Sequence, residues 1–560
     1  MLTRPITRYL VLAIICWLAV VPFVLWGSPS GHDFEFHMYS WMEVLAQWKQ
    51  GIVYPRWAGL AHWGYGEARF LFYPPGSWML GAALGAMLPW KVVPGVYCWL
   101  VLMLAGISMY TLARRWLPPP EAIFAAAFYA LNPYHLLVIY WRSAYAELLA
   151  AVVVPLVLLC LLRLRERGVR PVLWLSLALA GAWMANAPSA MMIHYSAAGL
   201  AVLMAVREKS PRDAGRFLCR AGIAVLLGAG LASFYLVPAV YEEPWVNIAA
   251  VMSAGVRPQD NFLFTYLADA DHNRFNLLIS LAALAEIAAL GVAAWFGRKV
   301  LVDEHEGSRS LDDRGVWILL ASWGAATAFV MLPVSDFLWV YLPKFRFVQL
   351  PFRWLLCLNA PLALLVTIAT MRSSSAGWKW GSRAFVCAAL LGALLISGHR
   401  IQPPWWDQAA DIQEMDDAVT DATGYEGTDE YVPAGGDPYE LNKDLAQVSD
   451  AGGGAVNVRV LAWSATEKHF TVQADTRRDL TLRLFNYPAW TALVNGRRVA
   501  TQTTEVTGLM IVPVEAGAND VRVYFARTPD RLVGTIVSGI SVAIFIGLWI
   551  WTLRSPRKGL

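Results

Sequence analysis

The stretch Tyr73-Pro74-Pro75-Gly76-Ser77-Trp78-Met79-Leu80-Gly81-Ala82-Ala83-Leu84-Gly85-Ala86-Met87-Leu88-Pro89-Trp90 decides how the rest of the chain is threaded. It is apolar, yet it falls short of the roughly 20 residues that cross about 30 Å of hydrocarbon. The two prolines give it a stiff, extended start. It reads as an interfacial or half-inserted helix. If it stays on one side, alternate connections between the other apolar runs are strongly basic. These are the N-terminus with Arg4 and Arg8; Arg114–Arg115; Arg163, Arg165, Arg167 and Arg170; and Arg207 to Arg220. They continue as Arg298–Lys299 with Arg309 and Arg314; Arg372, Lys379 and Arg383; and Arg554, Arg557 and Lys558. The positive-inside rule places them, and both termini, in the cytoplasm. Counting residues 76–90 as a span inverts everything after it and breaks that agreement.

Working outward, composition says the same. The 560 residues are 57% hydrophobic and 15% charged, against about 45–50% and about 25% for a soluble chain. An ordinary soluble enzyme is excluded, and so is disorder. Apolar runs of spanning length lie at about 8–27, 92–113, 119–138, 146–162, 170–186, 188–206, 218–238, 277–297, 315–333, 352–370, 383–398 and 532–553. The first is long for a signal peptide and lacks a clean cleavage site, so it is expected to remain as a span. The six cysteines lie in or beside these runs without a CxxC pair, which leaves no disulfide framework or structural zinc site to propose. The net charge of +4 is small. The fold class expected is an α-helical polytopic membrane protein of about 12 transmembrane helices.

Three pieces then face outward: residues 28–90, 239–276 and about 400–531. The expected division is a membrane module over 1–399, an extracytoplasmic β-rich domain over 400–531, and a final helix with a cytoplasmic tail over 532–560. From Val456 the chain alternates, as in Val456-Asn457-Val458-Arg459-Val460, Phe470-Thr471-Val472-Gln473 and Leu480-Thr481-Leu482-Arg483-Leu484. Further strands are expected near 491–500, 507–514 and 520–526, with Asn495-Gly496 as a hairpin turn. Six or more short strands predict an antiparallel β-sandwich.

The chemistry is sought at the outer ends of the spans. Just beyond the first one comes Gly31-His32-Asp33-Phe34-Glu35-Phe36-His37. A carboxylate held at this boundary is partly out of bulk water and becomes a better proton acceptor. Asp33 is equally well placed to cap the helix that follows. Asp33 and Glu35 also offer a place for a divalent cation, magnesium or manganese, although two carboxylates are few for one. His32 and His37 lack a third ligand for zinc. Arg56 and Arg69 lie among the aromatics that lead to Tyr73. Arg142 and Glu147 stand at the membrane edge, where charges need partners or a wet cavity. Glu242 and Glu243 form a further cluster with Trp245. Lys344, Arg346 and Arg353 break the positive-inside pattern in a short outer loop, and three cations around Gln349 suit either a dedicated phosphate site or lipid headgroups in general. Tyr487 and Trp490 offer stacking faces for a glycan, or core residues of the β-domain.

In these features the chain resembles the GT-C superfamily of membrane glycosyltransferases: a loop acid after the first span (Asp33), a Tyr-Pro-Pro interfacial helix (Tyr73, Pro74 and Pro75), Ala113-Arg114-Arg115 ending the next span, and a soluble domain after the bundle. More narrowly it resembles the bacterial polytopic membrane proteins labelled 6-pyruvoyl-tetrahydropterin synthase-related, at His32-Asp33, at Phe345-Arg346-Phe347-Val348-Gln349 through Arg353, and at Gly427-Thr428-Asp429-Glu430-Tyr431-Val432-Pro433. Ala185-Asn186-Ala187-Pro188-Ser189 departs from the Thr-His-Asn-Pro-like break expected there. The three zinc-binding histidines of the soluble pterin enzyme are not seen.

The resemblance implies a bacterial inner-membrane enzyme that transfers a sugar from a polyprenyl-phosphate carrier to a glycan, lipid or protein acceptor on the outer face. Membrane lipids are its surroundings, and nucleic acid is not a partner. Asp33 is then the general base, with Lys344, Arg346, Arg353 and Arg142 on the donor phosphate. His32, Glu35, Arg56, Arg69, Tyr73, Glu147, Glu242 and Glu243 are supporting or acceptor-side residues. Two rival readings stand beside it: a non-catalytic protein that binds or assembles lipid-linked glycan, and a transporter.

Overall fold

Backbone amides in hydrocarbon must be satisfied within their own segment, so the apolar runs fold into helices. The structure, a computed structural model, describes residues 5–166, 168–298, 313–371, 376–401, 406–451 and 456–554. The basic residues Arg4, Arg167, Lys299, Arg309, Arg372, Arg557 and Lys558 lie outside the described residues. Among the described residues, nine helices are long and apolar enough to cross a membrane: Trp90–Ala113, Pro119–Arg142, Tyr145–Arg163, Ala187–Val206, Pro211–Leu231, Ala270–Arg298, Pro351–Met371, Lys379–His399 and Pro529–Arg554. A tenth crossing is possible by length where Arg314–Val330 meets Pro333–Tyr341 at a 92° bend. Two shorter apolar helices, Ile6–Leu18 and Arg170–Ala185, fill the remaining expected positions. The first expected span is broken: helix Pro5–Leu18 gives way to Val21–Trp26, whose Pro22 lacks the N–H that a continuous helix would use.

The deciding stretch forms a helix over Pro75–Gly85, entered from Pro74 in an extended conformation. Its 11 residues extend about 16 Å, half of a bilayer core. It lies against helix Phe34–Lys49, and a Cβ on Gly81 would stand 2.1 Å from the Trp41 indole, so only glycine permits this approach.

The strands follow the alternation. A short pair, β1 (Ser28–Pro29) with β2 (Trp406–Asp407), ties the end of the first helical run to the start of the C-terminal region. The remaining strands are β3 (Val448–Asp450), β4 (Asn457–Trp463), β5 (Glu467–Ala474), β6 (Arg478–Phe485), β7 (Trp490–Val494), β8 (Arg497–Val499), β9 (Gln502–Thr503), β10 (Leu509–Val514) and β11 (Gly517–Phe525). They make two antiparallel sheets, β3-β6-β10-β9 and β4-β5-β11-β7-β8. Phe470, Leu482, Val512 and Val521 from the two sheets share one buried core. The run expected as a strand over 491–500 is the β7–β8 hairpin, turning at Asn495 (φ 52°) and Gly496 (φ 77°).

The loop after helix Phe34–Lys49 joins bundle to sandwich. Its Trp57, Tyr65 and Leu71 are buried in the β-domain core, where Trp57 packs on Tyr487, Trp490 and Phe525. Tyr487 and Trp490 are thus core residues. Glu242 is buried at the same junction. Its two oxygens accept from Arg531 at 2.7 and 2.8 Å, and one also accepts from the Tyr487 hydroxyl. This bidentate pair fixes the start of the last helix against residues 233–242 and the sandwich. Removing one partner leaves a buried charge. Arg531→Leu should therefore lower stability by about 3–5 kcal/mol, and adding Glu242→Leu should recover most of the loss, both read by unfolding in detergent.

Candidate functional site

Asp33 caps helix Phe34–Lys49 by position without a side-chain capping bond, so its carboxylate is free for other partners. Its place is set by the main chain. The Asp33 N–H donates to the Arg142 carbonyl at 2.8 Å, and the His32 N–H to the Trp141 carbonyl at 3.4 Å. Ser143 closes the junction: its Oγ accepts from the Gly31 N–H at 3.1 Å and donates to the Pro29 carbonyl at 2.9 Å. Helix Pro119–Arg142 ends here in a π-turn over Val138–Arg142, and Ser143 follows with φ 48°, in the left-handed region. Such turns recur where a helix must re-aim a side chain. A Cβ on Gly31 would lie 2.5 Å from Ser143 Oγ and 2.6 Å from Ser143 N.

This docking sets Asp33 at the edge of a buried charge cluster. One Asp33 oxygen is 2.7 Å from His32 Nδ1, and the other is 3.9 Å from Arg142 Nη2. Arg142 Nη1 donates to Glu147 Oε2 at 2.6 Å, and Arg353 Nε lies 3.2 Å from the same oxygen. The other Glu147 oxygen accepts from the Tyr134 hydroxyl. Arg353 Nη1 donates to the Val348 carbonyl at 2.8 Å and to Gln349 Oε1 at 3.1 Å. Among the described residues, Nη2 of both guanidiniums has no hydrogen-bond acceptor. Two guanidiniums held by one carboxylate, each with a donor edge to spare, form a ready anion cradle. Tyr73 and His37 complete the wall, with their rings 5.9 Å apart.

Burial alone would push the Asp33 carboxyl up, but the His32 hydrogen bond and the Arg142 charge outweigh it and hold the group well below the usual carboxylate range. A carboxylate at this boundary is expected to be a strengthened base; the neighbouring cations reverse the sign. The hydrogen bond to Asp33 raises His32 in turn, and its ring is largely exposed. His37 is buried, which pulls it down to about 4 and keeps it neutral, with Nε2 unpartnered.

The other candidates lie elsewhere. Lys344 is taken by Glu243 at 2.7 Å. Arg346 is exposed on the turn Phe345–Val348, whose last carbonyl binds Arg353. Arg56 lies over the Tyr54 ring and donates to the Phe234 carbonyl. Arg69 is buried against Glu67 at 2.5 Å, covers the Phe36 ring and reaches Thr428, so it holds the connecting region in place. Glu35 points away from Asp33, into a cavity of about 490 Å³ shared with Glu414, Asp417 and Asp421. Asp33 and Glu35 therefore do not converge, and the guanidiniums beside Asp33 do not fit a divalent cation. Glu286, not among the expected site residues, also reaches this cluster: its carboxylate accepts from the Tyr134 N–H at 3.2 Å. A lone acid inside the apolar run 277–297 was the available signal.

Residues 70–402, more than half of the chain, match the model of the family described as "6-pyruvoyl-tetrahydropterin synthase related domain; membrane protein". The chain belongs to that family. No curated protein matches it. Among solved structures it is similar to the arabinofuranosyltransferase AftD from Mycobacteria, at 17% identity and TM-score 0.45, over 70% of this chain and 27% of that one. It is also similar to ArnT from Cupriavidus metallidurans bound to undecaprenyl phosphate, at 11% identity and TM-score 0.40, over 75% and 76% of the two chains. A third is the archaeal oligosaccharyltransferase AglB from Archaeoglobus fulgidus, in complex with an inhibitory peptide and a dolichol-phosphate, at 12% identity and TM-score 0.38, over 75% and 56%. The chain spans about a quarter of the length of the arabinofuranosyltransferase.

The docking of Gly31 on Ser143 yields a direct test. Gly31→Ala should cost about 1–3 kcal/mol in thermal unfolding, because backbone rather than a flexible side-chain end blocks the added methyl.

Proposed function

We propose that this protein is a membrane glycosyltransferase that moves a sugar from a polyprenyl-phosphate donor to an acceptor hydroxyl. The observation that carries the reading is the juxtaposition of Asp33 with Arg142 and Arg353, two guanidiniums that Glu147 holds with donor edges free. The motif resemblance to the GT-C superfamily supplies the reaction class, and the position at the end of membrane helices favours a lipid-borne phosphate over a soluble one. The basic connections favour the extracytoplasmic face for the site and the β-domain.

In this reading the acceptor oxygen attacks the anomeric carbon as the bond to the phosphate oxygen breaks. The phosphate leaves with the bonding electrons, and Arg142 and Arg353 stabilise the charge it gains. Asp33 takes the hydroxyl proton. Its depressed pKa makes the resting carboxylate a weak base, and donor binding corrects that: a phosphate on Arg142 cancels part of the positive field that holds Asp33 down. His32, hydrogen-bonded to Asp33 and largely exposed, then passes the proton to solvent.

Two outcomes follow. Asp33→Asn should fold and bind undecaprenyl phosphate like the wild type, yet lose about 10²–10⁴-fold in transfer from polyprenyl-phosphate sugars. Normal transfer by that variant excludes the base; loss of undecaprenyl phosphate binding by the wild type excludes the donor. His32 must be neutral to accept a proton, and Asp33 raises its pKa. Transfer should therefore climb with pH above the ordinary histidine range, and a pH–rate profile of His32→Gln should lack that limb.

A further inference from the structure

The segment between helix Arg314–Val330 and Arg353 has a feature that the anion cradle does not use. After the 92° bend, residues Pro333–Tyr341 form an elbow. One of its sides is anchored: Trp339 is buried, packs on Phe345 with ring centroids 4.8 Å apart, and donates from Nε1 to the Val330 carbonyl at 3.2 Å. The opposite side is bare. Val334, Phe337, Val340 and Tyr341 are all more than half exposed. Their spacing of three and four residues places them on one helical stripe. An anchored helix that turns such a stripe outward, across the direction of its neighbour, is suited to lie flat at a lipid surface.

The elbow leads directly into the cationic turn. Lys344 is occupied bidentately by Glu243, with both oxygens at 2.7 Å. Arg346 is exposed and, among the described residues, has no ion-pair partner. Its turn is coupled to the inner site, because the Val348 carbonyl that ends it accepts from Arg353. A lipid phosphate arriving along the elbow meets Arg346 first and then Arg353. The complementarity is therefore double: an apolar stripe for a hydrocarbon chain, and one available guanidinium at its end for the phosphate.

We propose that the elbow Val334–Tyr341 and Arg346 form the port through which the polyprenyl-phosphate carrier enters, with the stripe taking the prenyl chain and Arg346 making the first contact with the phosphate. This rests on the donor reading above. It also separates the two outer cations: Arg346 receives the ligand, whereas Lys344 is a clamp on Glu243.

The test uses the full-length protein in lipid nanodiscs, undecaprenyl phosphate as the probe, and thermal unfolding of each variant as a control. Arg346→Gln should weaken binding about tenfold or more, as expected for losing a charged hydrogen bond. The double variant Phe337→Asn with Tyr341→Asn should weaken it comparably. Lys344→Gln should bind within about twofold of wild type, although it removes the same charge. An excess of phosphatidylglycerol should not displace the probe. Wild-type binding by both Arg346→Gln and the double variant, with binding lost in Arg353→Gln, overturns the port while leaving the donor reading intact. Equal losses in Lys344→Gln and Arg346→Gln, or displacement by phosphatidylglycerol, overturn it in favour of a generic anionic-lipid surface. Normal binding by Arg353→Gln as well removes the donor reading itself.

Discussion

One carboxylate shared by two guanidiniums organises this end of the molecule. Glu147 draws Arg142 from one helix and Arg353 from another onto a single side chain, with Arg142 buried and Arg353 only slightly exposed. A buried cluster of this kind is weak evidence for stability, because desolvation offsets much of its attraction. What it provides is position. Both guanidiniums are held on Glu147, and each keeps a donor edge that it does not spend there. Tyr134 steadies Glu147 from behind, and Glu286 accepts from the Tyr134 amide. Members of this cluster come from four helices.

Asp33 is attached to this cluster by backbone. The 29–33 segment hydrogen-bonds to the turn 141–143, so acid and cation keep their spacing even if their side chains exchange partners. Gly31 makes the approach possible, and Ser143 accepts a left-handed conformation to complete it. The electrostatic consequence is a carboxylate that rests as a poor base, and in the proposed function an anion on the arginines would strengthen it. On the proposed reading, a site built this way would tie proton transfer to the presence of the donor.

Much of the architecture was legible in the sequence, for physical reasons that can be named. Hydrocarbon forces helices of a minimum length, so the short run after Tyr73-Pro74-Pro75 could be set apart from the spans and is a helix of 11 residues. Strict alternation gave the sandwich strands, and Asn495-Gly496 their hairpin. Arg142 and Glu147 were legible as membrane-edge charges that needed partners, Asp33 as a loop acid, and Arg353 as an outer cation. Which partner each would find was not. Arg69 and Glu242 carry the same kind of charge at similar places, yet the fold spends them on joining the loop, the connecting region and the sandwich. Trp57, one of the aromatics around Arg56 and Arg69, is a wedge in the β-domain core. Pairing is decided by distances between segments far apart in sequence, and periodicity is silent about those. The sign of the Asp33 shift failed for the same reason: burial was foreseeable from the sequence, but the cations across the junction were not.

The most direct measurement is a cryo-EM map of the full-length protein in lipid with undecaprenyl phosphate added. The account requires the headgroup density to lie within hydrogen-bond reach of both Arg142 and Arg353, beside Asp33, with the chain leaving toward Phe337 and Tyr341. Headgroup density on another part of the bundle, with the Arg142–Glu147–Arg353 cluster closed and untouched, would contradict it.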